Sequence, residues 1–405
     1  MKILHTSDWH LGQKFLHFDR IEEHQLALNW LFECIQKEQV EMLIIAGDVF
    51  DIGNPPNYAR QIYYRFLTKL RSTTCRHIIV IGGNHDSPAM LNAPADLLKT
   101  LNVHVIGAAP ENIDEEIIVL RNAKEEIEAV VAAVPFLRDR DLHYSQAGEG
   151  GVDRVDRVKT GICKHYHAVG ALVEAFAKFD IPKLATGHLY ATGAQASDKQ
   201  DNIYIGDKEN IKADQFPAIF DYVALGHIHR SQKVGEANHI RYCGSIIPLS
   251  FSETKDEKGV LLLSFEGASL KEVSNLKVPV FRRLKTIQGD IEEVKVKLRK
   301  FAEKGDRSLR PWVEVIVETE ELLPRLDLDL QDFVASLELD LIKIRVKRKH
   351  QALHQQVEEP DLENLDVLEV FQKKCSSYGA APENIDELEQ VFLELQDWMK
   401  NSYEN

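Results

Sequence analysis

Cysteine is scarce and scattered. The five copies, Cys34, Cys75, Cys163, Cys243 and Cys375, are odd in number, and none stands in a C-x-x-C spacing. A disulfide framework and a thiolate zinc cluster are both disfavoured, and buried reduced thiols are expected. No apolar run approaches the roughly 20 residues that span a bilayer. Residues Met1 to Ser7 lack the basic stretch and long apolar core of a secretory signal, which points to a cytoplasmic chain. Basic residues are outnumbered: 49 Lys+Arg against 64 Asp+Glu give a formal net charge of −15. That balance argues against a protein that coats nucleic acid by charge alone. The deficit is concentrated in residues 356–405, where thirteen acidic residues face three lysines, so the rest of the chain is near balance. No internal repeat, low-complexity tract or aromatic ladder for stacked single strands is present.

At 405 residues the chain is too long for one ordinary core, and two or three domains are expected. Its 44% hydrophobic and 28% charged content is that of a globular protein. Apolar runs at 2–7, 41–46, 77–82, 183–186 and 222–226 read as buried strands, with helical patterns at 20–38, 58–71 and 160–179. Antiparallel strands are expected at 240–243 and 259–265. This mixture predicts a layered α/β domain over residues 1–277. Residues 278–352 predict a small α+β unit in βαβαβ order. Its strands fall at 280–287, 312–319 and 340–346, and its helices at 291–303 and 330–337, with Asp290 and Glu293 as a capping box. Within 353–405, helical segments at 361–374 and 384–399 are expected. In the second, Ile385, Leu388, Val391, Phe392, Leu395 and Trp398 make one apolar stripe opposite an acidic face. Such a stripe suits packing on its own protein and docking to a partner equally.

Five short polar motifs follow the strand-like runs. They are Asp8-Trp9-His10, Gly47-Asp48-Val49-Phe50-Asp51, Gly83-Asn84-His85-Asp86, Gly187-His188 and Gly226-His227-Ile228-His229. In layered α/β sheets, ligands collect beyond the carboxyl ends of strands, where these motifs would lie. Asp8 and His10 can share one cation, and Asp48 can bridge two with its two oxygens. Asn84 offers an amide oxygen, while His188, His227 and His229 offer imidazole nitrogens. Two such cations can activate water and clamp a phosphate for in-line displacement. Oxygen and imidazole without thiolate suit manganese, iron or zinc better than calcium. His85, beside Asn84, is placed to meet the substrate, where it could stabilise the pentavalent phosphorus or protonate the leaving oxygen. Asp51 is placed to hold His85 in the useful tautomer. Any one motif alone is weak, but five in this order leave little room for chance.

The same residues match D-x-H, G-D-x-x-D, G-N-H-D, G-H and G-H-x-H of the calcineurin-like metallophosphoesterases. Six longer stretches resemble the bacterial SbcD nuclease family: 1–15 (MKILHTSDWHLGQKF), 135–139 (PFLRD), 185–189 (ATGHL), 203–206 (IYIG), 222–230 (YVALGHIHR) and 241–251 (RYCGSIIPLSF). That family is the counterpart of the archaeal and eukaryotic double-strand-break repair nuclease. The resemblance implies a two-sheet phosphoesterase sandwich with a small α+β cap and C-terminal helices. It implies manganese held by Asp8, His10, Asp48 and His229 in one site and by Asp48, Asn84, His188 and His227 in the other. It further implies that His85 serves phosphodiester cleavage with Asp51 as its partner. The activity implied is 3′–5′ exonuclease and single-strand or hairpin endonuclease, in replication, recombination and repair, on nucleoid DNA. An SbcC ATPase would dock on the C-terminal helices. Dimerisation would use helices near 58–70 and 89–100, where Ile62, Phe66, Leu91, Leu97 and Leu98 could pack, although spacing alone would equally allow an internal core.

DNA contacts are expected at Lys343, Arg345, Lys347 and Arg348 in the densest basic run, which Lys349 extends, and at Gln13, Lys14 and Arg20 near the metals. The plainer alternative for the basic run is a solvated strand edge. Two competing functions share these residues: a phosphomonoesterase with the same metals, and a non-catalytic scaffold with a degenerate pocket.

Overall fold

The computed structural model describes residues 1–142, 151–191, 211–303, 309–319 and 325–348, together with residues 371, 388, 389, 391 and 392. The chain forms two compact units, Met1–Arg348 and Lys349–Asn405. The first unit begins with β1 (Lys2–Thr6), α1 (Ile21–Glu38), β2 (Met42–Ala46), α2 (Asn57–Leu70), β3 (His77–Ile81) and β4 (Val103–Ile106). Next come β5 (Ile117–Arg121), β6 (Ile127–Ala132), α3 (Gly151–Val173), β7 (Lys183–His188) and β8 (Tyr222–Gly226). The body closes with β9 (Gln232–Val234), β10 (Ala237–Tyr242), β11 (Gly259–Glu266) and β12 (Ser269–Lys277). After it follow β13 (Leu284–Gly289), α4 (Ile291–Ala302), β14 (Trp312–Thr319), α5 (Leu326–Val334) and β15 (Asp340–Arg348).

Two six-stranded sheets result, in the orders β12-β11-β1-β2-β3-β4 and β9-β10-β8-β7-β6-β5. Their central strands run parallel: β1 to β4 in the first sheet, and β6, β7, β8 and β10 in the second. Alternation along each strand decides what its side chains meet. In β2, Met42, Ile44 and Ala46 enter a core shared with Leu184, Tyr222 and Ala224 of the other sheet. Leu43 and Ile45 point the other way, onto Leu28, Leu31 and Ile35 of α1 and Phe66 of α2. On the far side, Ala185, Val223 and Leu225 pack against Ile162, Tyr166 and Val169 of α3. Helix, sheet, sheet and helix therefore stack in four layers, and the middle strands, covered on both faces, read as unbroken apolar runs.

The four strands that end the sheets, β4, β5, β9 and β12, were not among the expected ones, nor was the inner strand β6. In β4 and β5 buried and half-buried residues alternate, so neither makes a continuous apolar run. For the helices near 58–70 and 89–100, the internal-core alternative is the one seen for most of the named side chains. Ile62, Phe66, Leu91 and Leu98 are buried in the unit's own core, and of the five residues only Leu97, 69% exposed, faces outward. Four of these side chains are committed to packing α2 and its neighbours on the sheet and are not free to form an interface.

Strands β13, β14 and β15 form a third, all-parallel sheet. Val313, Val315 and Val317 of β14 pack beneath Val294 and Leu298 of α4 and Leu330 and Val334 of α5. The Asp290 side chain accepts from the Glu293 N–H at 2.9 Å and starts α4. This sheet joins the body through Phe15, Leu284, Trp312 and Ile342. A buried charged triad crosses the same junction. Arg20 donates to both carboxylate oxygens of Glu23, and Arg282 Nε donates to Glu23 Oε2 at 3.2 Å. Glu23→Ala would leave two buried guanidiniums without their carboxylate, and is expected to cost about 3–5 kcal/mol in denaturant unfolding. An unchanged midpoint would show that the triad contributes nothing net.

In the second unit, Phe371 and Phe392 stack with ring centroids 4.2 Å apart and planes 11° apart. Phe371, Leu388, Glu389, Val391 and Phe392 are helical. The remainder of the helices expected at 361–374 and 384–399 lies outside the described residues, as do Lys349 and the 203–206 stretch. Among the described residues no helix is long and apolar enough to cross a membrane.

Candidate metal centre

The polar motifs meet where the parallel strands of both sheets end. Asp8, Asp48 and Asn84 lie just beyond β1, β2 and β3; His188 is the last residue of β7, and His227 follows β8. Gly226 pairs with His188 in register across β7 and β8. Asp8, His10, Asp48 and His227 all have positive φ, at 52°, 45°, 49° and 94°. Side chains rarely accept this left-handed backbone, and strain of this kind gathers at functional sites. Main-chain bonds hold it: Asp8 N–H to Gly47 O and His10 N–H to Asp48 O, both 3.0 Å. Two glycines allow the close approach. A Cβ on Gly83 would strike Asp48, and one on Gly226 would strike the Ala46 carbonyl.

Asp48 Oδ2 lies 3.5 Å from His10 Nε2 and 3.2 Å from His188 Nε2. Asn84 Oδ1 lies 3.0 Å from His188 Nε2 and 3.1 Å from His227 Nδ1. Asp8, His10 and His229 bring ligand atoms within 4.8 Å of one another, and so do Asp8, Asp48 and His188. Donors that each sit about 2.1 Å from one divalent ion stand about 3–3.5 Å apart, which these spacings match. The buried His10 Nε2 has no hydrogen-bond partner. A lone pair enclosed among carboxylates in this way suits a cation. The chemistry of the donor set therefore fits two divalent ions.

The second nitrogen of each imidazole fixes its orientation. His188 Nδ1 donates to Ala46 O at 2.9 Å, His10 Nδ1 meets Asp51 Oδ1 at 3.0 Å, and His229 Nδ1 meets Glu253 Oε1 at 3.2 Å. All three leave Nε2 for a ligand role. Burial alone would lower His10 and His188, yet carboxylates raise both to about 9: Asp51, Asp48 and Asp8 for His10, Asp48 and Asp8 for His188. Burial opposes ionisation of Asp48, but His188, His10 and His85 hold it well below the usual carboxylate range. Burial and the neighbouring His188 push His227 down to about 3. At neutral pH, taking up a divalent ion must displace protons from His10 and His188.

Asp51 does not hold His85 through its carboxylate, contrary to expectation. The carboxylate holds His10, and the Asp51 main-chain oxygen accepts from His85 Nδ1 at 2.8 Å. A carbonyl can only accept, so His85 Nδ1 carries the proton and Nε2 is left for other partners on an exposed ring. Arg20 is also corrected. It is buried and spent on Glu23, Gln13 Oε1 at 2.8 Å and Pro248 O at 2.7 Å, so it cannot reach a phosphate. Gln13 is engaged at both ends of its amide, its Nε2 donating to Leu249 O at 3.2 Å. Lys14 is exposed. Far from the metals in sequence, Lys343 and Arg345 share Glu314 at 3.2 and 3.1 Å, and Lys347 pairs with Glu318 at 3.3 Å. Arg348 is exposed. The basic run is thus partly neutralised by β14.

Two supporting acids escape sequence reasoning. Buried Asp86 accepts N–H bonds from Gly83 at 2.9 Å, Phe50 at 2.9 Å and Val49 at 3.1 Å, tying two motif loops together. Burial and the nearby Asp48 raise it to about 6. Only its place as the last letter of G-N-H-D could have marked it. Glu253 orients His229 and accepts from Lys258 Nζ at 2.6 Å and Leu249 N–H at 3.1 Å. Burial opposes its ionisation, but His229 and Lys258 pull it from 4.5 down to about 2. A depressed acid stabilises the fold above its unfolded pKa and loses that contribution as pH falls from 4.5 to about 2. Glu253→Gln should therefore unfold more easily than the parent near pH 6, with the gap closing as pH approaches 2. Parallel denaturation curves across that range are the check, and a constant gap would contradict it.

Sequence profiles agree with this geometry. The profile described as calcineurin-like phosphoesterase matches residues 1–231, and SbcD_C, described as type 5 capsule protein repressor C-terminal domain, matches residues 280–377. The SbcD subunit of nuclease SbcCD from Escherichia coli (strain K12) is 40% identical over 403 residues, covering 97% of this chain and 96% of the relative. The chain belongs to the SbcD family. The SbcD protein of Rhodobacter capsulatus is 35% identical over 69% of this chain and 70% of its own length. That of Bacillus subtilis is 32% identical over 67% and 69% respectively. As a calcineurin-like member of the SbcD family, the chain is a metal-dependent phosphodiester hydrolase with two divalent ions as cofactors.

Proposed function

We propose that this chain is the manganese-dependent nuclease subunit of a complex that processes DNA ends and hairpins. In this reading Asp8, His10, Asp48 and His229 hold one ion, and Asp48, Asn84, His188 and His227 hold the other. One observation carries it: Asp48 Oδ2 stands between His10 Nε2 and His188 Nε2, as a bridging carboxylate must. Bound ions would supply the charge that activates water and neutralises phosphate oxygens. The chain's own groups position the rest. Asp48 Oδ1 accepts the His85 N–H at 2.9 Å and so fixes His85 beside the bridge. His85, its Nδ1 proton committed to Asp51 O, presents Nε2 to the scissile phosphate; when Nε2 is protonated as well, it passes that proton to the leaving oxygen and returns to the neutral ring.

The relatives are SbcD subunits of the nuclease SbcCD. By that likeness an SbcC-type ATPase binds residues 353–405, residues 278–352 act as a DNA-binding cap, and the complex contains two copies of each chain. The activity proposed is double-strand 3′–5′ exonuclease and single-strand or hairpin endonuclease. Manganese-dependent cleavage of a hairpin-ended duplex, with and without the ATPase and ATP, tests it. No cleavage in any arm, or faster turnover of a small phosphomonoester than of DNA, would overturn it.

A further inference from the structure

A two-stranded hairpin, Lys14–Phe15 paired with Phe18–Asp19, rises from the loop that carries Asp8 and His10. Its root is fixed to the metal centre. Gln13 N–H donates to His10 O at 2.9 Å, Leu11 N–H to Val49 O at 2.9 Å, and Asp51 N–H to Leu11 O at 3.2 Å. Its inner side is rigid: buried Phe15 packs edge-on to Phe251 at 5.0 Å and lies 5.7 Å from Trp312 of β14. The tip does the opposite of what a surface turn should. Leu16 is 45% exposed and Phe18 37% exposed, with the exposed His17 between them. Leu16 also has φ of 60°, at a turn position where glycine or asparagine is ordinarily found. An apolar side chain both strained and solvated is retained against stability, which points to use.

The tip is also aromatic and backed. The rings of His17 and Phe18 lie 5.1 Å apart at 32°, and Phe18 lies 5.6 Å from Trp312, whose ring is buried against the Arg282 guanidinium at 4.0 Å. The Lys14 side chain, 60% exposed, stands at the base of this surface, loosely paired at 4.0 Å with the Asp19 carboxylate, an exposed pair that a phosphate can exchange. A rigid aromatic face beside a cation matches a nucleobase with its phosphate, because every base offers a flat face and apolar wedges part stacked bases. We propose that Leu16, His17 and Phe18 form a wedge that stacks on, and opens, the terminal base pair of duplex DNA presented to the metal centre. The wedge rests on the nuclease reading above and gives it a preference for ends.

The test uses the full-length chain carrying His85→Leu, which should keep its metals without hydrolysing DNA. The duplexes carry 2-aminopurine at the terminal or a central position, manganese is present, and cleavage is measured separately with His85 intact. This chain should raise fluorescence at the terminal position and leave the central position unchanged. Leu16→Ala and Phe18→Ala should abolish that rise, and Phe18→Trp should retain it. The ratio of duplex-end cleavage to hydrolysis of a small aryl phosphodiester should fall about tenfold in Phe18→Ala, the loss expected for one stacked base. Leu16 and Phe18 both lie at the surface, and Phe179→Ala, an exposed aromatic outside both the hairpin and residues 278–352, serves as the truncation control. A terminal signal that survives Phe18→Ala, or a rise of equal size at the central position, would overturn the wedge. So would loss of ATPase binding with the terminal signal intact, which would assign the patch to a protein partner. The fluorescence needs no hydrolysis, so a chain that opens ends but does not cleave with His85 intact would sink the catalytic reading alone.

Discussion

Replacing His85 by Leu should lower phosphodiester hydrolysis by about 10²- to 10⁴-fold, the range lost when a positioned proton donor is removed. The metal content should stay at the parent level. The separation follows from geometry: the His85 ring is exposed and its Nδ1 is held by the Asp51 carbonyl, so although it stands beside His10 and Asp51 it is not among the side chains that surround Asp48 Oδ2, His10 Nε2 and His188 Nε2. The Asp48 contact to residue 85 uses the main-chain N–H, which leucine keeps. Metal analysis of the purified variant beside rates on a hairpin-ended duplex decides the matter. Unimpaired cleavage by His85→Leu would remove this residue from the chemistry. Loss of metal with activity would instead make it a ligand.

Asp48→Asn should have the widest consequences. The substitution nearly preserves shape but removes the charge between His10 and His188. Both ions should be lost or greatly weakened, and hydrolysis should fall by more than about 100-fold, which groups one step further from a metal already cost. Without metal the same change should register in the fold. His10 and His188 are raised from 6.5 to about 9, largely by carboxylates that include Asp48. A raised histidine stabilises the folded state below its unfolded pKa and loses that contribution as pH rises through the folded one. Metal-free Asp48→Asn should therefore be less stable than the parent at pH 6, and the difference should shrink as pH passes about 9. Thermal unfolding in chelator across pH 6 to 10 measures this, and a variant that still binds two ions would refute the bridging role.

The positions of the metal-site motifs were legible in the sequence because each follows a strand whose two faces are both covered. Such strands are unbroken apolar runs, and the polar residues that end them stand out. The edge strands β4 and β5 break that pattern, so they stayed hidden. Residue roles were harder to read where main chain and side chain divide the work. Spacing placed Asp51 beside His85 but could not say that its carbonyl holds His85 while its carboxylate turns to His10. Arg20 looked like a free cation because its carboxylate, Glu23, is shared with Arg282 from 259 residues away. The wedge aromatics were invisible for the same reason: no sequence ladder exists, and Trp312 reaches Phe18 only through the fold.

The proposed ligand set is divided between the two sheets. Asp8, His10, Asp48 and Asn84 hang from the first, and His188, His227 and His229 from the second. Ions shared by both sets would act as rivets through the sandwich. A ribosome would have to deliver both halves of the body before a rivet could be set, so a nascent chain would carry no nuclease. Filling a site at 100 times its dissociation constant adds about 2.7 kcal/mol to the folded state. Chelators would then do more than silence the enzyme: they would loosen the seam along which its two halves are joined.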